Sequence, residues 1–299
     1  MTFPQVVEPA LRLVAEASSN HGSDMARALE LVAEASITGF DAVKFQLFRV
    51  DQLFAPEVLR NSPEHRARER WELPTGFLPE LAAGARSQGL DFSCTPFSLS
   101  AVEELVPHVD FLKVASYELL WDDLLRECAM TGLPLVVSTG MADLDEVNHA
   151  VEVVRSAGCE DLTLLHCVSA YPTPAAEANL SAIATLREHT GLPVGWSDHT
   201  NDPAVIHRAV HRWGASFVEL HLDVDGQGAE FGPGHCWLPE TAGPLIRDLR
   251  AGIGADGHGR KEPAPSEESD RVWRADPSDG LRPRLEERAR WRDGRPEPA

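Results

Sequence analysis

The chain lacks long apolar runs and paired cysteines. Hydrophobic residues make up 43% of its 299 residues, but no run approaches the roughly 20 apolar residues that cross a membrane. The five cysteines are scattered and form no CxxC pair, which favours reduced thiols over a disulfide framework. No charged segment followed by an apolar stretch opens the sequence. We therefore expect no secretory signal, no membrane association and a cytoplasmic protein.

Positive charge is also scarce. The formal net charge is −20, so a nucleic-acid backbone would be repelled and we expect no nucleic-acid partner. Only three of the 27 basic residues are lysines. Two of them, Lys44 and Lys113, fall in apolar segments, where an unpaired charge is costly to bury. Compositional bias is one explanation, and a need for an ammonium group in phosphate binding or Schiff-base chemistry is the other.

Eight short apolar segments alternate with helical segments along the chain. This order predicts a (β/α)8 TIM barrel, an α/β fold whose active site lies at the C-terminal ends of the strands. Nearly every segment ends at or next to a polar or ionisable residue that could take part in catalysis or binding. The predicted strands are residues 11–15, 42–45, 90–93, 111–114, 135–137, 162–165, 193–196 and 217–218.

The predicted barrel domain spans residues 1–254, and residues 255–299 read as an irregular tail that either wraps the barrel or is partly disordered. Trp273 and Trp291 are its candidate docking points. Capping signals predict helices that begin after Ser23 or Asp24, after Asp143, after Asp202 and at Pro239, the last running to about Leu249. Two long connections, residues 48–75 and 223–237, are expected at the mouth of the active site, the first as a lid or an extra helix.

His199 and His221 follow neighbouring predicted strands, so their imidazoles can converge on one divalent ion and leave a position open for substrate. Asp198 and Glu219 are candidate outer partners that fix the imidazole tautomers. The alternative is a set of separate polar residues at the barrel mouth. His166 has the character of a satisfied core histidine.

Lys44 and Lys113 bring positive charge to the same mouth, as a phosphate ester with a carboxylate would require. Hydroxyls are expected beside them, although each alone could simply satisfy a strand end. Glu16 and Glu118 are candidates for a general base or for binding a sugar hydroxyl, and a salt bridge to a lysine is the alternative. The candidate hydroxyl and thiol groups are Thr95, Ser116, Ser138 and Ser197, with Cys94 and Cys167 interpreted as buried apolar residues rather than nucleophiles.

Eight motifs together resemble the sialic acid synthase (N-acetylneuraminate synthase) family, over residues of roughly 13 to 250. Members of that family condense phosphoenolpyruvate with an N-acetylhexosamine-type aldehyde in a barrel, using a divalent metal that is usually manganese. The motifs are AEASSNHGSD (15–24), AVKFQLF (42–48), SCTPFSL (93–99), LKVASYE (112–118), VSTGMA (137–142), LLHCVSAYPTP (164–174), GWSDHT (195–200) and VELHLD (218–223).

The resemblance implies roles for particular residues. His199 and His221 would hold the metal, with Mn²⁺ expected first and Mg²⁺ or Co²⁺ as alternatives. Glu16, Lys113 and Glu118 are the expected catalytic residues, and Glu16, Glu118 and Gln46 would face the sugar or the reacting centre. The expected substrate-binding residues are Lys44, Gln46, Thr95, Ser116, Ser138, Ser169, Tyr171, Ser197, Glu219 and His235.

The sequence departs from the family pattern on the acceptor side. The family motif GPDH is present as Gly232-Pro233-Gly234-His235, without its aspartate. The residues after the barrel do not resemble the C-terminal antifreeze-like domain that family members usually carry. The acceptor is therefore expected to be smaller or different, or another subunit completes the site; a homodimer is expected by analogy.

The leading hypothesis is a metal-dependent synthase that makes a 3-deoxy-2-keto sugar acid of the nonulosonic type from phosphoenolpyruvate and a sugar aldehyde, with release of phosphate. A Schiff-base lysine aldolase on the same barrel, through Lys44 or Lys113, is the alternative enzyme. A non-catalytic pathway partner that binds substrate without turnover is the third possibility.

Overall fold

A computed structural model describes residues 11–291; residues 1–10 and 292–299 of the predicted domain and tail lie outside that range. Eight parallel strands close into a barrel in the order of the sequence, which confirms the predicted (β/α)8 fold. The strands are β1 (Arg12–Ser18), β2 (Ala42–Leu47), β3 (Asp91–Pro96), β4 (Phe111–Val114), β5 (Leu135–Ser138), β6 (Leu162–Cys167), β7 (Val194–Asp198) and β8 (Phe217–His221).

Most strands run further toward their C-terminal ends than the apolar segments predicted. In β1 the pairing with β2 continues through Glu16 and Lys44, which lie opposite each other. Glu16 is also paired with His221 of β8. The backbone ladder of a parallel sheet does not depend on side-chain polarity, so polar residues at these positions stay extended and point alternately inward and outward.

The interior of the barrel is layered. Its lower layer is an apolar plug, a cluster of buried side chains from six strands. The Phe111 and Phe217 rings meet edge to face in it, with centroids 6.0 Å apart, and the Arg12 guanidinium lies 4.4 Å from the Phe111 centroid. Such stacked layers are typical of this barrel. The plug consists of Val14, Ala42, Phe111, Val136, Leu165 and Phe217.

Helices follow the strands of the barrel. They are α1 (Met25–Thr38), α2 (Val50–Leu53), α3 (Pro56–Asn61), α4 (Pro63–Arg66), α5 (Leu78–Ser87), α6 (Leu99–Leu105), α7 (Asp122–Met130), α8 (Leu144–Ser156), α9 (Ala182–Thr190), α10 (Pro203–His207) and α11 (Pro239–Asp256). The residues after the barrel hold two further short helices, α12 (Glu268–Arg271) and α13 (Leu285–Arg288). Among the residues the structure describes, no helix has the length and apolar character needed to cross a membrane.

The predicted helix starts are confirmed by their capping contacts. Asp24, rather than Ser23, accepts hydrogen bonds from the backbone at the start of α1. Asp143 and Glu146 form a reciprocal capping box at α8. Asp202 caps α10, with Pro203 in its first turn. α11 extends to Asp256, beyond the end predicted near Leu249.

The two long connections differ in structure. Residues 48–77 contain α2, α3 and α4 with two short 3₁₀ helices. The Glu72 carboxylate accepts a hydrogen bond from the Val50 amide (2.6 Å) and so connects the end of this segment to the start of α2. The connection after β8 is an irregular loop. Arg27 of α1 holds its first residues through ion pairs to Asp223 and Asp225, both at 2.7 Å.

A second compact unit begins at Ala255. Within its described residues the two tryptophans named above pack against each other, with the Trp273 and Trp291 centroids 5.7 Å apart. Asp276 is buried and accepts hydrogen bonds from the Ser278 and Leu285 amides. Short helical turns joined by such contacts form this unit. Its predicted role in wrapping the barrel stays a prediction.

Gly195 allows β7 to pack closely against its neighbours. A Cβ at this position would overlap the Phe217 carbonyl oxygen and lie 2.7 Å from Leu165 Cδ2. We predict that Gly195→Ala lowers the free energy of unfolding by about 3 kcal/mol, because the strands on both sides must move. Gly76→Ala, which meets nothing within 4 Å, should change it by less than about 0.5 kcal/mol. Thermal unfolding compares the two, and a wild-type midpoint for Gly195→Ala would contradict the prediction.

Candidate active site

The layer above the apolar plug is polar and charged. Side chains of a strand alternate between its two faces, so the residue two positions after each plug residue also points inward. After Val14, Ala42, Phe111 and Phe217 these residues are Glu16, Lys44, Lys113 and Glu219. Four ionisable groups therefore converge from β1, β2, β4 and β8 at one level of the barrel.

These four residues form a buried charge quartet of two lysines and two glutamates. Lys44 Nζ contacts Glu16 Oε2 directly and lies 3.6 Å from Glu219 Oε2. Lys113 Nζ lies 3.2 Å from Glu219 Oε1. All four residues are at most 3% exposed. Opposite charges this close compensate one another, as burial away from water requires.

Neutral donors and acceptors complete the quartet. Gln46 Nε2 donates to Glu16 Oε1 (2.7 Å), and Ser197 Oγ donates to Glu219 Oε1 (3.1 Å). Lys44 Nζ donates to Thr95 Oγ1 (3.2 Å). The salt-bridge alternative for Glu16 is thus present in the structure. Thr95, Gln46 and Ser197 lie where the sequence predicted them, at one barrel mouth.

The environment shifts the pKa of each charged group differently. Burial raises the pKa of Glu219, but the two lysines outweigh burial and hold it at about 2. Burial lowers the pKa of Lys113 more than Glu219 raises it, so the net shift is downward. For Lys44 the two carboxylates outweigh burial and the pKa is raised. The quartet therefore contains one firmly ionised carboxylate shared by two ammonium groups.

Hydroxyl groups without partners lie beside the quartet. The Ser138 and Ser169 hydroxyl oxygens are buried with no hydrogen-bond partner. The Gly140 amide donates to Ser116 Oγ (3.0 Å). A Cβ at Gly140 would overlap the Ser169 hydroxyl and lie 2.8 Å from Ser116 Oγ. Glycine at this position therefore lets the hydroxyls of Ser116 and Ser169 and the Cys167 thiol lie close together.

The two predicted metal-binding histidines are oriented alike. His199 Nδ1 lies 2.8 Å from the Val168 carbonyl oxygen, and His221 Nδ1 lies 3.2 Å from Glu230 Oε2. Both partners can only accept, so Nδ1 carries a proton in each ring, and Nε2 has a lone pair whenever the ring is neutral. Burial lowers the pKa of His221, but the Glu230 carboxylate outweighs burial and the net shift is upward. The ring centroids are 5.2 Å apart. This arrangement, with one nitrogen anchored and the other free, is that of metal-binding histidines.

The predicted outer partners of the histidines are wrong. Asp198 accepts hydrogen bonds from the indole nitrogens of Trp196 and Trp237, both at 3.1 Å, and from Thr200, so its oxygens face the barrel wall. Glu219 forms ion pairs with Lys44 and Lys113 instead. Glu230 takes this place for His221, and sequence reasoning missed it because it lies in an irregular loop without strand or helix periodicity.

The loop that carries Glu230 also brings His235 to the site. His235 is buried, its ring centroid lies 4.7 Å from that of His221, and its Nε2 is 3.8 Å from Glu230 Oε2. Tyr171 packs over the histidines, 4.2 Å from the His199 centroid and 5.0 Å from that of His235. Predicted substrate-binding residues therefore contact the predicted metal ligands.

Most predicted site residues line one cavity at the barrel mouth. Glu118, Ser169 and His235 are not part of its lining, although Ser169 meets Gly140 and His235 meets His221. The lining consists of Glu16, Lys44, Gln46, Thr95, Lys113, Ala115, Ser116, Tyr117, Ser138, Cys167, Tyr171, Ser197, His199, Glu219 and His221.

Residues interpreted as structural behave as such. His166 Nε2 lies 3.0 Å from the Ala178 carbonyl oxygen, and its ring packs on Trp196 at 5.3 Å, as expected for a satisfied core histidine. Burial raises the pKa values of the Cys94 and Cys167 thiols, so neither is poised as a nucleophile.

A barrel with this polar layer and histidine pair defines the class of protein as a TIM-barrel enzyme with its site at the C-terminal ends of the strands. The profile of the NeuB family matches residues 31–261. The chain belongs to the NeuB family, and the predicted resemblance to sialic acid synthases is confirmed. The prediction of an enzyme of this kind, a transferase that forms carbon–carbon bonds, is confirmed with it.

Relatives with known names agree with this assignment. The chain is 36% identical to the N,N'-diacetyllegionaminic acid synthase of Legionella pneumophila over 85% of this chain and 76% of that protein. It is 32% identical to the pseudaminic acid synthase of Helicobacter pylori, over 71% and 65%. The structure is similar to the sialic acid synthetase of Leptospira borgpetersenii in complex with citrate, with a TM-score of 0.79, 29% identity and coverage of 90% and 94%.

The stability of the folded chain should depend on pH through Glu118. Burial raises its pKa from 4.5 to about 7, and its Oε2 is buried without a partner. The folded state therefore binds a proton more tightly than the unfolded state, and its stability falls as the pH rises from 4.5 through 7. Glu118→Gln should raise the free energy of unfolding by on the order of 2 kcal/mol near pH 8 and leave it unchanged near pH 4.

Thermal unfolding over that pH range measures the effect. Glu103→Gln, at an exposed position of α6, is the matched control and should keep the wild-type pH dependence. A Glu118→Gln midpoint that parallels the wild type at every pH would show that the buried carboxyl is ionised without cost.

Proposed function

We propose that the chain condenses phosphoenolpyruvate with a sugar aldehyde to give a 3-deoxy-2-keto sugar acid of the nonulosonic type, with release of phosphate. Its relatives support phosphoenolpyruvate-dependent condensation in general. The observation that carries the proposal is the position of Lys44 and Lys113. They are two of the three lysines in a chain of net charge −20, and both lie inside the barrel beside the histidine pair.

The anionic half of the site fits phosphoenolpyruvate. Its carboxylate and phosphate need positive charge and hydroxyl or amide donors. Lys44 and Lys113 supply the charge, and the unpartnered hydroxyls of Ser138 and Ser169 with Ser116 supply donors. The binding energy must exceed the loss of lysine contacts to Glu16 and Glu219, and a ligand with two anionic groups can satisfy both lysines at once.

The histidine pair fits a divalent ion, because His199 and His221 each keep an anchored Nδ1 and a free Nε2 on the cavity wall. When bound, such an ion supplies Lewis-acid polarisation of the aldehyde oxygen. Manganese is the proposed ion, with magnesium or cobalt as alternatives.

In the proposed reaction, C3 of phosphoenolpyruvate forms the new bond to the aldehyde carbon, and the aldehyde oxygen takes a proton. Positive charge then develops at C2, where Glu16 and Glu219 stabilise it electrostatically. Water adds to C2 and gives up one proton, which balances the proton taken by the aldehyde oxygen. The C2–O bond to phosphate then breaks, phosphate leaves with the bridging oxygen and the second water proton, and the oxygen of the water becomes the keto oxygen. Gln46 and Glu118 hold the acceptor or the water. Positioning supplies most of the remaining rate enhancement.

The acceptor side of the site matches the family pattern less well than the phosphoenolpyruvate side. Gly234 stands in the motif where the family has aspartate, with a φ of +95° that disfavours any residue except glycine. The acceptor is proposed to be an N-acetylhexosamine-like aldehyde, in keeping with relatives named for legionaminic and pseudaminic acids. Assembly as a homodimer remains a prediction.

Phosphate release from phosphoenolpyruvate tests the proposal. Wild type with Mn²⁺ and a panel of aldoses and N-acetylamino sugars should release phosphate with one acceptor class. The double variant His199→Ala/His221→Ala should lose at least about 100-fold of that rate, because the metal ligands are gone. His189→Gln, at an exposed position of α9, should keep it.

The same samples separate the alternatives. Covalent trapping by borohydride in the presence of substrate would identify a Schiff-base aldolase and contradict the proposal. Binding of phosphoenolpyruvate without release for any acceptor would instead indicate a non-catalytic partner. Release that is unaffected in the double variant would overturn the metal assignment.

A further inference from the structure

Both tyrosines of the chain lie at one cavity. The sequence has only two, Tyr117 and Tyr171, and both line the cavity that contains the charge quartet and the histidine pair. Tyr117 follows β4 in the short 3₁₀ helix Ser116–Glu118, and Tyr171 follows β6. The two residues are 65% and 42% exposed, whereas the quartet is buried. The two rings therefore belong to the rim of the cavity, where it opens to solvent.

The cavity itself is too small for two substrates. Its volume is about 60 Å³, which is room for two water molecules at roughly 30 Å³ each. Pockets that enclose a small molecule usually have about 300–1,000 Å³. Phosphoenolpyruvate, which the proposed function places at Lys44 and Lys113, takes up the whole of this space. The acceptor sugar must therefore lie further out, against the residues of the rim.

A strained methionine lies near Tyr117 on this rim. Met141 has a φ of +67°, in the left-handed region that is disfavoured for any residue with a side chain. Burial does not offset the strain, because Met141 is 62% exposed. The Gly140 amide donates to Ser116 Oγ (3.0 Å), so the connections after β4 and β5 meet one residue before Tyr117 and Met141. Backbone strain of this kind is concentrated at positions that bind ligands.

The two side chains offer contacts to C–H groups. An aromatic ring has a negative face and a large, rigid contact area, and the methionine thioether is apolar and adapts its shape. The carbon chain of a sugar carries C–H groups between its hydroxyls, and an N-acetyl group adds a methyl. The Tyr117 phenol can also donate to or accept from a sugar hydroxyl. A ring with a polar tip at the rim thus matches the mixed surface of a sugar.

We propose that Tyr117 is a specificity-determining residue for the acceptor, and that its ring packs against the C–H groups of the bound sugar with Met141 beside it. The inference rests on the proposed function, because it takes phosphoenolpyruvate to occupy the interior of the cavity. Tyr171 packs on His199, with the ring centroids 4.2 Å apart, and so supports the histidine pair. Tyr117 belongs to neither the quartet nor the histidine pair, and its exposed ring is available to the sugar.

Acceptor kinetics of the full-length protein test the assignment, with the acceptor for which wild type releases phosphate. Tyr117→Ala should raise the KM for that acceptor by about tenfold or more, because the ring contact is lost. The Kd for phosphoenolpyruvate, measured by calorimetry, should change by less than about twofold, since the interior of the cavity is intact. Tyr117→Phe keeps the ring face and should restore most of the acceptor affinity. Met141→Ala should raise the same KM by a smaller factor, about threefold.

Leu120→Ala is the matched control. Leu120 lies in the same connection after β4, is 62% exposed and is not part of the cavity lining, so this variant should keep the wild-type KM. Thermal unfolding checks that each variant is folded. A Tyr117→Phe variant as weak as Tyr117→Ala would assign the contact to the phenol hydroxyl and contradict ring packing.

A pair of sugars locates the contact. The pair is the accepted N-acetyl sugar and its counterpart with a hydroxyl in place of the N-acetyl group, each measured as a substrate or as a competitive inhibitor. Loss of discrimination between them in Tyr117→Ala places the ring against the N-acetyl methyl, and equal weakening of both places it against the carbon chain. Wild-type affinity of Tyr117→Ala for both sugars would overturn the inference and leave the proposed function standing. If wild type releases no phosphate with any sugar, the proposed function fails and this inference fails with it.

Discussion

The site depends on the mutual compensation of two buried lysines and two buried glutamates. Each of these charges alone would be costly inside the barrel, but Lys44 pairs with Glu16, Lys113 pairs with Glu219, and Lys44 and Glu219 link the two pairs. Removing one partner would leave an uncompensated charge, with a cost of about 3–5 kcal/mol. The quartet therefore constrains four strands to one register.

Barrel closure is what brings the quartet together. Its members come from β1, β2, β4 and β8, and only a closed sheet makes β1 a neighbour of both β2 and β8. The apolar plug beneath excludes water from one side, which strengthens every interaction in the charged layer. The layer thus places two lysine side chains inside a strongly acidic protein, next to carboxylates with which an anionic ligand would have to compete.

The half of the site that contains the histidine pair follows a different rule. Strand ends supply His199 and His221, but the groups that orient them come from the Val168 carbonyl and from Glu230 in a loop. In this half, the path of the loops after the strands, rather than the alternation of side chains along a strand, brings the hydrogen-bonding groups together.

These two rules explain what the sequence could and could not predict. The barrel and the strand Phe111–Val114 follow from short apolar segments that alternate with helical segments, and the convergence of Lys44 and Lys113 follows from their position in those segments. The assignment of Asp198 to a histidine failed because its oxygens accept hydrogen bonds from the indole of Trp196, on the same face of β7, and from that of Trp237, which is distant in the sequence. Glu230 was missed for the same reason: its partners are fixed only after the β8 loop folds back on β1.

The most direct test of the account is the affinity of phosphoenolpyruvate for single lysine variants, measured by calorimetry on samples whose folding is checked by thermal unfolding. The chain offers its own control, because its third lysine, Lys261, is exposed in the second unit. The account predicts that Lys44→Met and Lys113→Met each weaken binding by at least about tenfold, since each loses a charge-assisted contact to the ligand, while Lys261→Met binds as wild type. Wild-type affinity in both barrel variants would show that the buried lysines only balance the glutamates and that the anion binds elsewhere.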